Sequence, residues 1–167
     1  MKIIIASDTH GKNERLTELE KLYPDASLFL HAGDWGDDPG RYDHWITVRG
    51  NNDFHSSVQL DASRVVLAGN HAILLIHGDR LPFSRREETL ADLAKANGCD
   101  IAVYGHSHRA AVSRINGVLV INPGALFRSR DVAGASYCVL DTDQPEPEAK
   151  IIRYAQRPEK DCLSEKQ

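Results

Sequence analysis

Residues 1–10 read Met1-Lys2-Ile3-Ile4-Ile5-Ala6-Ser7-Asp8-Thr9-His10. Lys2 to Ala6 is a short, largely apolar run with β-branched residues, which predicts a buried strand. It ends almost directly on an aspartate and a histidine. The arrangement recurs four times downstream. Ser27 to His31 leads into Gly33-Asp34, and Trp45 to Arg49 into Gly50-Asn51-Asn52-Asp53. Ala72 to Ile76 leads into His77-Gly78, and Ile101 to Tyr104 into Gly105-His106-Ser107-His108. Ligand sites concentrate where strands of an α/β layer end in loops. The strand ends fix the loop roots, so residues far apart in sequence can converge accurately.

The intervening segments fit the same α/β reading. Lys12 to Leu22 predicts a helix with Leu16 and Leu19 on one face, which Pro24 prevents from continuing. Arg64 to Ala68 and Ala72 to Ile76 flank Gly69-Asn70, a hairpin signal because both residues tolerate positive φ. A second helix is expected over Arg85 to Asn97, with Ser84 and Glu87 as a capping box and Gly98 as its stop. Asn116-Gly117 marks another hairpin, between Ala111 to Ile115 and Val118 to Ile121. The last strands are Ser136 to Asp141 and Glu148 to Tyr154, leaving one domain over 1–155 and a polar tail over 156–167.

The chain has 167 residues, 41% of them hydrophobic and 26% charged, which suffices for one soluble domain with a core that needs no disulfides. The net charge of -4 argues against a dedicated nucleic-acid grip. No apolar run approaches the length of a signal peptide or membrane span, so no membrane partner is expected. Cys99, Cys138 and Cys162 are scattered and odd in number, which fits a reducing, cytoplasmic setting.

Seven residues are candidate metal ligands: Asp8, His10, Asp34, Asn51, His77, His106 and His108. Their oxygen and nitrogen donors suit hard or borderline divalent cations. A tetrahedral site needs only three or four donors. Seven suit two metals that share a carboxylate, and Asp34 is the natural bridge, with one cation on each oxygen. Asp8 and His10 are two apart in chain expected to be extended, which would project them to one side, as would His106 and His108. Two divalent cations bring about +4, and Asp8, Asp34 and a bridging hydroxide remove about three. The surplus attracts an anion. Phosphate leads, because paired metals can hold the attacking and leaving oxygens of an in-line displacement by the bridging hydroxide.

The order Asp8-x-His10, Gly33-Asp34-x-x-Asp37, Gly50-Asn51-x-Asp53, His77, Gly105-His106-x-His108 resembles the calcineurin-like metallophosphoesterase superfamily. The small size, the Gly-Asn-x-Asp block and Asn122-Pro123-Gly124 resemble its compact YfcE-type phosphodiesterase branch. The likeness runs from Met1 to about Tyr154. It implies a four-layer α-β-β-α sandwich of two mixed β-sheets flanked by helices. It also implies one metal on Asp8, His10, Asp34 and His108, and another on Asp34, Asn51, His77 and His106. Manganese is the favoured metal, with nickel, zinc, iron and magnesium as alternatives. The substrate would be a small-molecule phosphate ester, a diester or a monoester, and compact relatives often pair as homodimers.

Asn52 departs from the pattern, since many members carry histidine there. It can contact phosphate by donating a hydrogen bond but cannot transfer a proton at neutral pH, which favours acidic leaving groups. His55 is a candidate substitute acid or a plain loop histidine. Asp37 and Asp53 resemble carboxylates that orient ligands. Trp35 suits either the substrate rim or the core, and Arg128 and Arg130 either phosphate or solvent. Ala125 stands where relatives often have serine. His31, His44 and His71 match no ligand block and read as structural or surface residues. The alternative function is a non-catalytic protein-interaction scaffold, as in the retromer subunit of this fold; the intact ligand set favours catalysis.

Overall fold

The computed structural model describes residues 1–54 and 56–158, so His55, Cys162 and most of the polar tail lie outside the described residues. The chain runs β1 (Lys2–Ala6), α1 (Glu14–Leu22), β2 (Leu28–His31), β3 (Trp45–Thr47), β4 (Ser63–Ala68) and β5 (His71–Ile76). It continues through α2 (Arg86–Ala96), β6 (Ile101–Val103), β7 (Ala110–Ile115), β8 (Val118–Pro123), β9 (Ser136–Asp141) and β10 (Glu148–Arg153). Short 3₁₀ turns at Pro39–Arg41 and Tyr154–Gln156 add to the elements expected from sequence.

Two mixed five-stranded sheets result, ordered β10-β9-β1-β2-β3 and β4-β5-β6-β8-β7. Side-chain alternation in the strands makes them into layers. Ile3 and Ile5 of β1 face the space between the sheets, where they meet Ile73, Leu75, Ile101, Val103 and Ile121 of the second sheet. Ile4 and Ala6 face the other way, onto Leu16 and Leu19 of α1. In the second sheet Leu74, Ala102 and Val120 turn outward onto Leu90, Ala91 and Ala94 of α2. The order is therefore helix, sheet, sheet, helix, the expected α-β-β-α sandwich. Each fully buried Ile or Leu contributes roughly 1.5–3 kcal/mol of transfer free energy.

The strand expectations hold to within a residue or two, and the two helices begin slightly late. The capping box at the start of α2 does not form. Arg85 occupies the cap in a left-handed conformation, φ 60°, with no side-chain cap bond. Glu87 accepts from the Tyr104 hydroxyl at 2.9 Å and from Ser113 Oγ at 3.0 Å, so tertiary partners outcompete the local one. Gly98 ends α2 at φ 71° as expected. Among the described residues no helix is long and apolar enough to cross a membrane.

β1, β2 and β3 run parallel in the first sheet, and β5 and β6 run parallel in the second. Asp8, Asp34 and Asn51 follow the first three strands; His77 and His106 follow the other two. All five ligand-bearing loops meet at the edge of the sandwich where these strands end.

Candidate metal centre

Backbone hydrogen bonds stitch the loops together. Asp8 N donates to Gly33 O at 3.0 Å and His10 N to Asp34 O at 3.1 Å, joining the loops after β1 and β2. Gly105 N donates to His77 O at 2.9 Å, joining those after β5 and β6. Extended chain does not produce the convergence. Asp8, His10, Asp34, His106 and His108 all adopt positive φ, between 43° and 64°. The extended-chain premise of the same-side expectation for Asp8/His10 and His106/His108 is thus corrected: the strands have already ended, and left-handed residues aim the side chains. Such conformations cost of order 1–3 kcal/mol each, persist only where surroundings over-determine them, and cluster at functional sites.

The ligand side chains nonetheless meet. His108 Nε2 lies 3.2 Å from Asp8 Oδ1 and 3.2 Å from His10 Nε2. His10 Nε2 is 3.8 Å from Asp8 Oδ1 and 3.7 Å from Asp34 Oδ2. On the other side His77 Nε2 is 3.5 Å from Asp34 Oδ2 and 3.0 Å from Asn51 Oδ1. His106 Nδ1 is also 3.0 Å from Asn51 Oδ1. Donor atoms of Asp8, His10 and His108 lie within 4.8 Å of one another, as do those of Asp8, Asp34 and His77. All seven sequence-predicted ligands share one site.

The hydrogen bonding fixes what these atoms can do. His77 Nδ1 points at Ala32 O (2.7 Å) and His108 Nδ1 at Arg128 O (2.8 Å); a carbonyl only accepts, so both Nδ1 atoms carry protons. In the neutral rings Nε2 then presents a lone pair, the state a metal requires. A neutral ring would set these lone pairs against carboxylate and amide oxygens, acceptor against acceptor, unless a proton or a cation lies between them. Asp8 Oδ1 is buried without a hydrogen-bond partner, although Oδ2 accepts from Ser7 Oγ at 2.6 Å and His106 N at 3.1 Å. An orphaned carboxylate oxygen between two imidazole nitrogens fits a divalent cation.

Electrostatics agree. Burial pushes the Asp8 carboxyl up, but the adjacent His108 imidazole, the charge of His77 and the Ser7 hydroxyl bond outweigh it, holding Asp8 low. Burial is likewise outweighed at Asp34, by His77 and Asn52, and its carboxyl is depressed. His77 is pushed down by burial but up more strongly by Asp34 and Asp8, to about 9. His108 is raised by its bond to Asp8, while burial lowers His10 and His106. Buried carboxylates demand adjacent positive charge, which a proton or a metal can supply, so metal uptake should release protons.

Asp34 Oδ1 accepts from Asn52 N at 2.9 Å, and Oδ2 faces both His10 and His77. Asn52 Nδ2 also donates to Oδ2, at 2.7 Å. Asp53 organises the loop by accepting from Asp34 N (2.9 Å), Trp35 N (2.8 Å) and Gly50 N (2.7 Å).

Other candidates separate cleanly. Asp37 is exposed and, among the described residues, accepts only from Asp38 N. Trp35 is fully buried, so it is core and not rim. Arg128 and Arg130 have exposed side chains, and Arg128 reaches the centre through its carbonyl alone. Ala125 is buried. His71 pairs with Asp100, and His44 is exposed. His31 is buried, stacks on Trp35 with ring centroids 3.9 Å apart, and is pushed down to about 3 by burial, so it stays neutral. Sequence reasoning missed Ser7, whose position before Asp8 was the available signal. It also missed the carbonyls of Ala32 and Arg128, which no residue type announces.

The calcineurin-like phosphoesterase superfamily domain matches residues 1–145, and the chain belongs to that family. The probable metallophosphoesterase MG207 of Mycoplasma genitalium is 31% identical over 162 residues, covering 93% of this chain and 96% of its own. A crystal structure of a predicted phosphoesterase from Streptococcus pneumoniae superposes with a TM-score of 0.84 at 22% identity, covering 96% of this chain and 93% of its own. The E. coli phosphoesterase YfcE gives a TM-score of 0.69 at 23% identity, covering 95% and 96%. At those identities the structures show a common fold.

Proposed function

We propose that the chain is a dinuclear metal-dependent phosphoesterase acting on small phosphodiesters. The observation that carries this reading is the convergence of His77 Nε2 and His108 Nε2 on Asp8, Asp34 and Asn51 oxygens, with the Nδ1 of each ring bonded to a backbone carbonyl. One cation would take Asp8, His10, Asp34 and His108, and the other Asp34, Asn51, His77 and His106. When bound, two divalent cations supply Lewis acidity at phosphorus and lower the pKa of water to provide hydroxide for in-line attack. The protein's part is to hold the ligands rigid: Asp53 fixes the Asp34 loop, and the Ala32 and Arg128 carbonyls fix the His77 and His108 tautomers. The family resemblance supports manganese first, and the mixed imidazole, carboxylate and amide donors also suit nickel, zinc, iron or magnesium. Cys99 and Cys138 are buried free thiols, which supports a reducing cytoplasmic setting.

Asn52 is held against Asp34 and has no proton to transfer, so turnover should favour leaving groups that depart without help. Rates across an aryl phosphodiester series should fall steeply as leaving-group pKa rises, and a flat series would overturn this. The central test is reconstitution with Mn, Ni, Zn, Fe or Mg, followed by metal analysis and assay of paired aryl mono- and diesters. Asp34→Ala should lose bound metal and turnover together; retained turnover by metal-stripped Asp34→Ala refutes the proposal.

A further inference from the structure

Asn122-Pro123-Gly124 lies outside every block of candidate ligands. Asn122 is the penultimate residue of β8, is 0% exposed, and has its whole amide occupied. Its Nδ2 donates to Gly105 O and to Ser107 Oγ, both at 3.0 Å, and its Oδ1 accepts from Gly124 N at 2.9 Å. The strand register explains this reach. β6 stops pairing with β8 at Val103 and Ile121, and Tyr104 N then donates to Ile121 O at 3.0 Å. The next β8 side chain therefore lies beside the chain as it leaves β6.

Those three bonds hold two loops at once. Gly105 and Ser107 flank His106, and Ser107 separates it from His108; both histidines are left-handed, a conformation that persists only where surroundings fix it. Gly124, at φ 77°, opens the segment that runs on to Arg128, whose carbonyl accepts from His108 Nδ1. The same segment grips the loop after β1, through Leu126 N to Ser7 O at 3.0 Å and Phe127 N to Asp8 O at 3.2 Å. A carboxamide suits the post, since it offers two donors and an acceptor in one plane and brings no charge beside the ligands. We infer that Asn122 is a positioning residue of the metal centre, which sets the aim of His106 and His108 without touching a cation. The two histidines belong to different cations in the ligand sets proposed above, so one buried amide governs both. The inference rests on that metal-centre reading.

The test titrates the full chain with manganese and follows loss of the free-ion electron paramagnetic resonance signal, at a temperature where the variants compared are folded. Asn122→Leu keeps the size and neutrality of the side chain but removes all three bonds. Its manganese Kd should rise about 10- to 100-fold, the usual range for groups that orient metal ligands. Asp100→Asn is the control, because it weakens the fold at the opposite end of β6; its Kd should stay within twofold. Ser107→Ala removes one bond and should raise the Kd roughly 2- to 12-fold, the range of one net hydrogen bond. Ser107→Thr restores the hydroxyl and should recover the affinity. A Kd for Asn122→Leu within twofold of the unmodified chain overturns the inference and leaves the metal-centre reading intact. So does a rise that Asp100→Asn matches at equal loss of Tm, since general destabilisation then accounts for it. Where Asn122→Leu does not fold, the Ser107 pair decides, and an unchanged Kd in Ser107→Ala overturns the inference. An unmodified chain that binds no divalent metal refutes the broader reading and takes this inference with it.

Discussion

Gly50 offers the sharpest perturbation of the centre. A Cβ built there would lie 2.9 Å from Asp34 Cγ and closer still to Asp34 Oδ1 and the Asp34 amide nitrogen. Ordinary contact begins at 3.4 Å, so Asp34 Oδ1 and the Asp34 amide nitrogen must each retreat by more than the roughly 0.5 Å that the Cγ distance alone requires. The carboxylate cannot swing freely, because Asn52 grips both its oxygens and Asp53 grips its backbone N–H. Overpacking of this kind costs about 1–3 kcal/mol, or a fall in Tm of roughly 2–12 °C for a chain this size. Catalytic geometry tolerates only about half an ångström, and a misplacement of about 1 Å can cost a hundredfold. Gly50→Ala should therefore lose roughly ten- to hundredfold in kcat/KM on an aryl phosphodiester and retain less metal after dialysis. Gly117→Ala is the control. Nothing lies within 4 Å of its Cβ position, so only the strain of φ 85° applies, at about 1 kcal/mol. A Gly50→Ala protein with kcat/KM within twofold, full metal content and unchanged Tm would refute the packing argument.

Three further outcomes are expected. Asp53→Asn replaces one carboxylate oxygen with an NH2 that cannot accept, leaving at least one of three N–H groups unpaired. Urea unfolding should show about 1–3 kcal/mol lost. Asp100 accepts from Ala72 N at 3.0 Å and pairs with His71 at 2.6 Å; burial raises its carboxyl, but these bonds outweigh it and hold it below its ordinary value of 3.8. A depressed acid stabilises the fold above the unfolded pKa and loses that contribution as pH falls through the folded one. The stability advantage over Asp100→Asn should be present at pH 5 and shrink below about pH 4; a pH-independent difference would contradict this. Cys138 is fully buried and its thiol is pushed up by burial to about 12. Mass spectrometry after a thiol reagent at pH 8 should find it unmodified in the native protein and labelled only after unfolding.

Much of this architecture is legible in the sequence because five of the ten strands advertise themselves twice, by an apolar run and by the candidate ligand block at its end. Ile3-Ile4-Ile5 marks β1 without revealing that alternate residues serve two cores, one between the sheets and one under α1. Gly98 marks the end of α2 because a left-handed stop is a local requirement. Glu87 misleads for the opposite reason: its partners Tyr104 and Ser113 lie far away in sequence. The ligands themselves are visible as residue types in order. Their aim is not, since nothing in Asp-Thr-His states that Asp8 and His10 leave the extended region. Backbone carbonyls such as Ala32 O are equally silent, being carried by every residue.

The seven candidate ligands divide between the sheets. Asp8, His10, Asp34 and Asn51 hang from one, and His77, His106 and His108 from the other. Any cation lodged among them would reinforce two slabs joined by an aliphatic core and by a few polar links such as His77 Nδ1 to Ala32 O and Arg114 to Pro147 O. Sliding one slab over the other would open or pinch the gap between the two halves, so the seam of aliphatic residues beneath sets the gauge of the chemistry above. Repairs to that seam far from the ligands, even by a single methyl group, should therefore be felt at phosphorus.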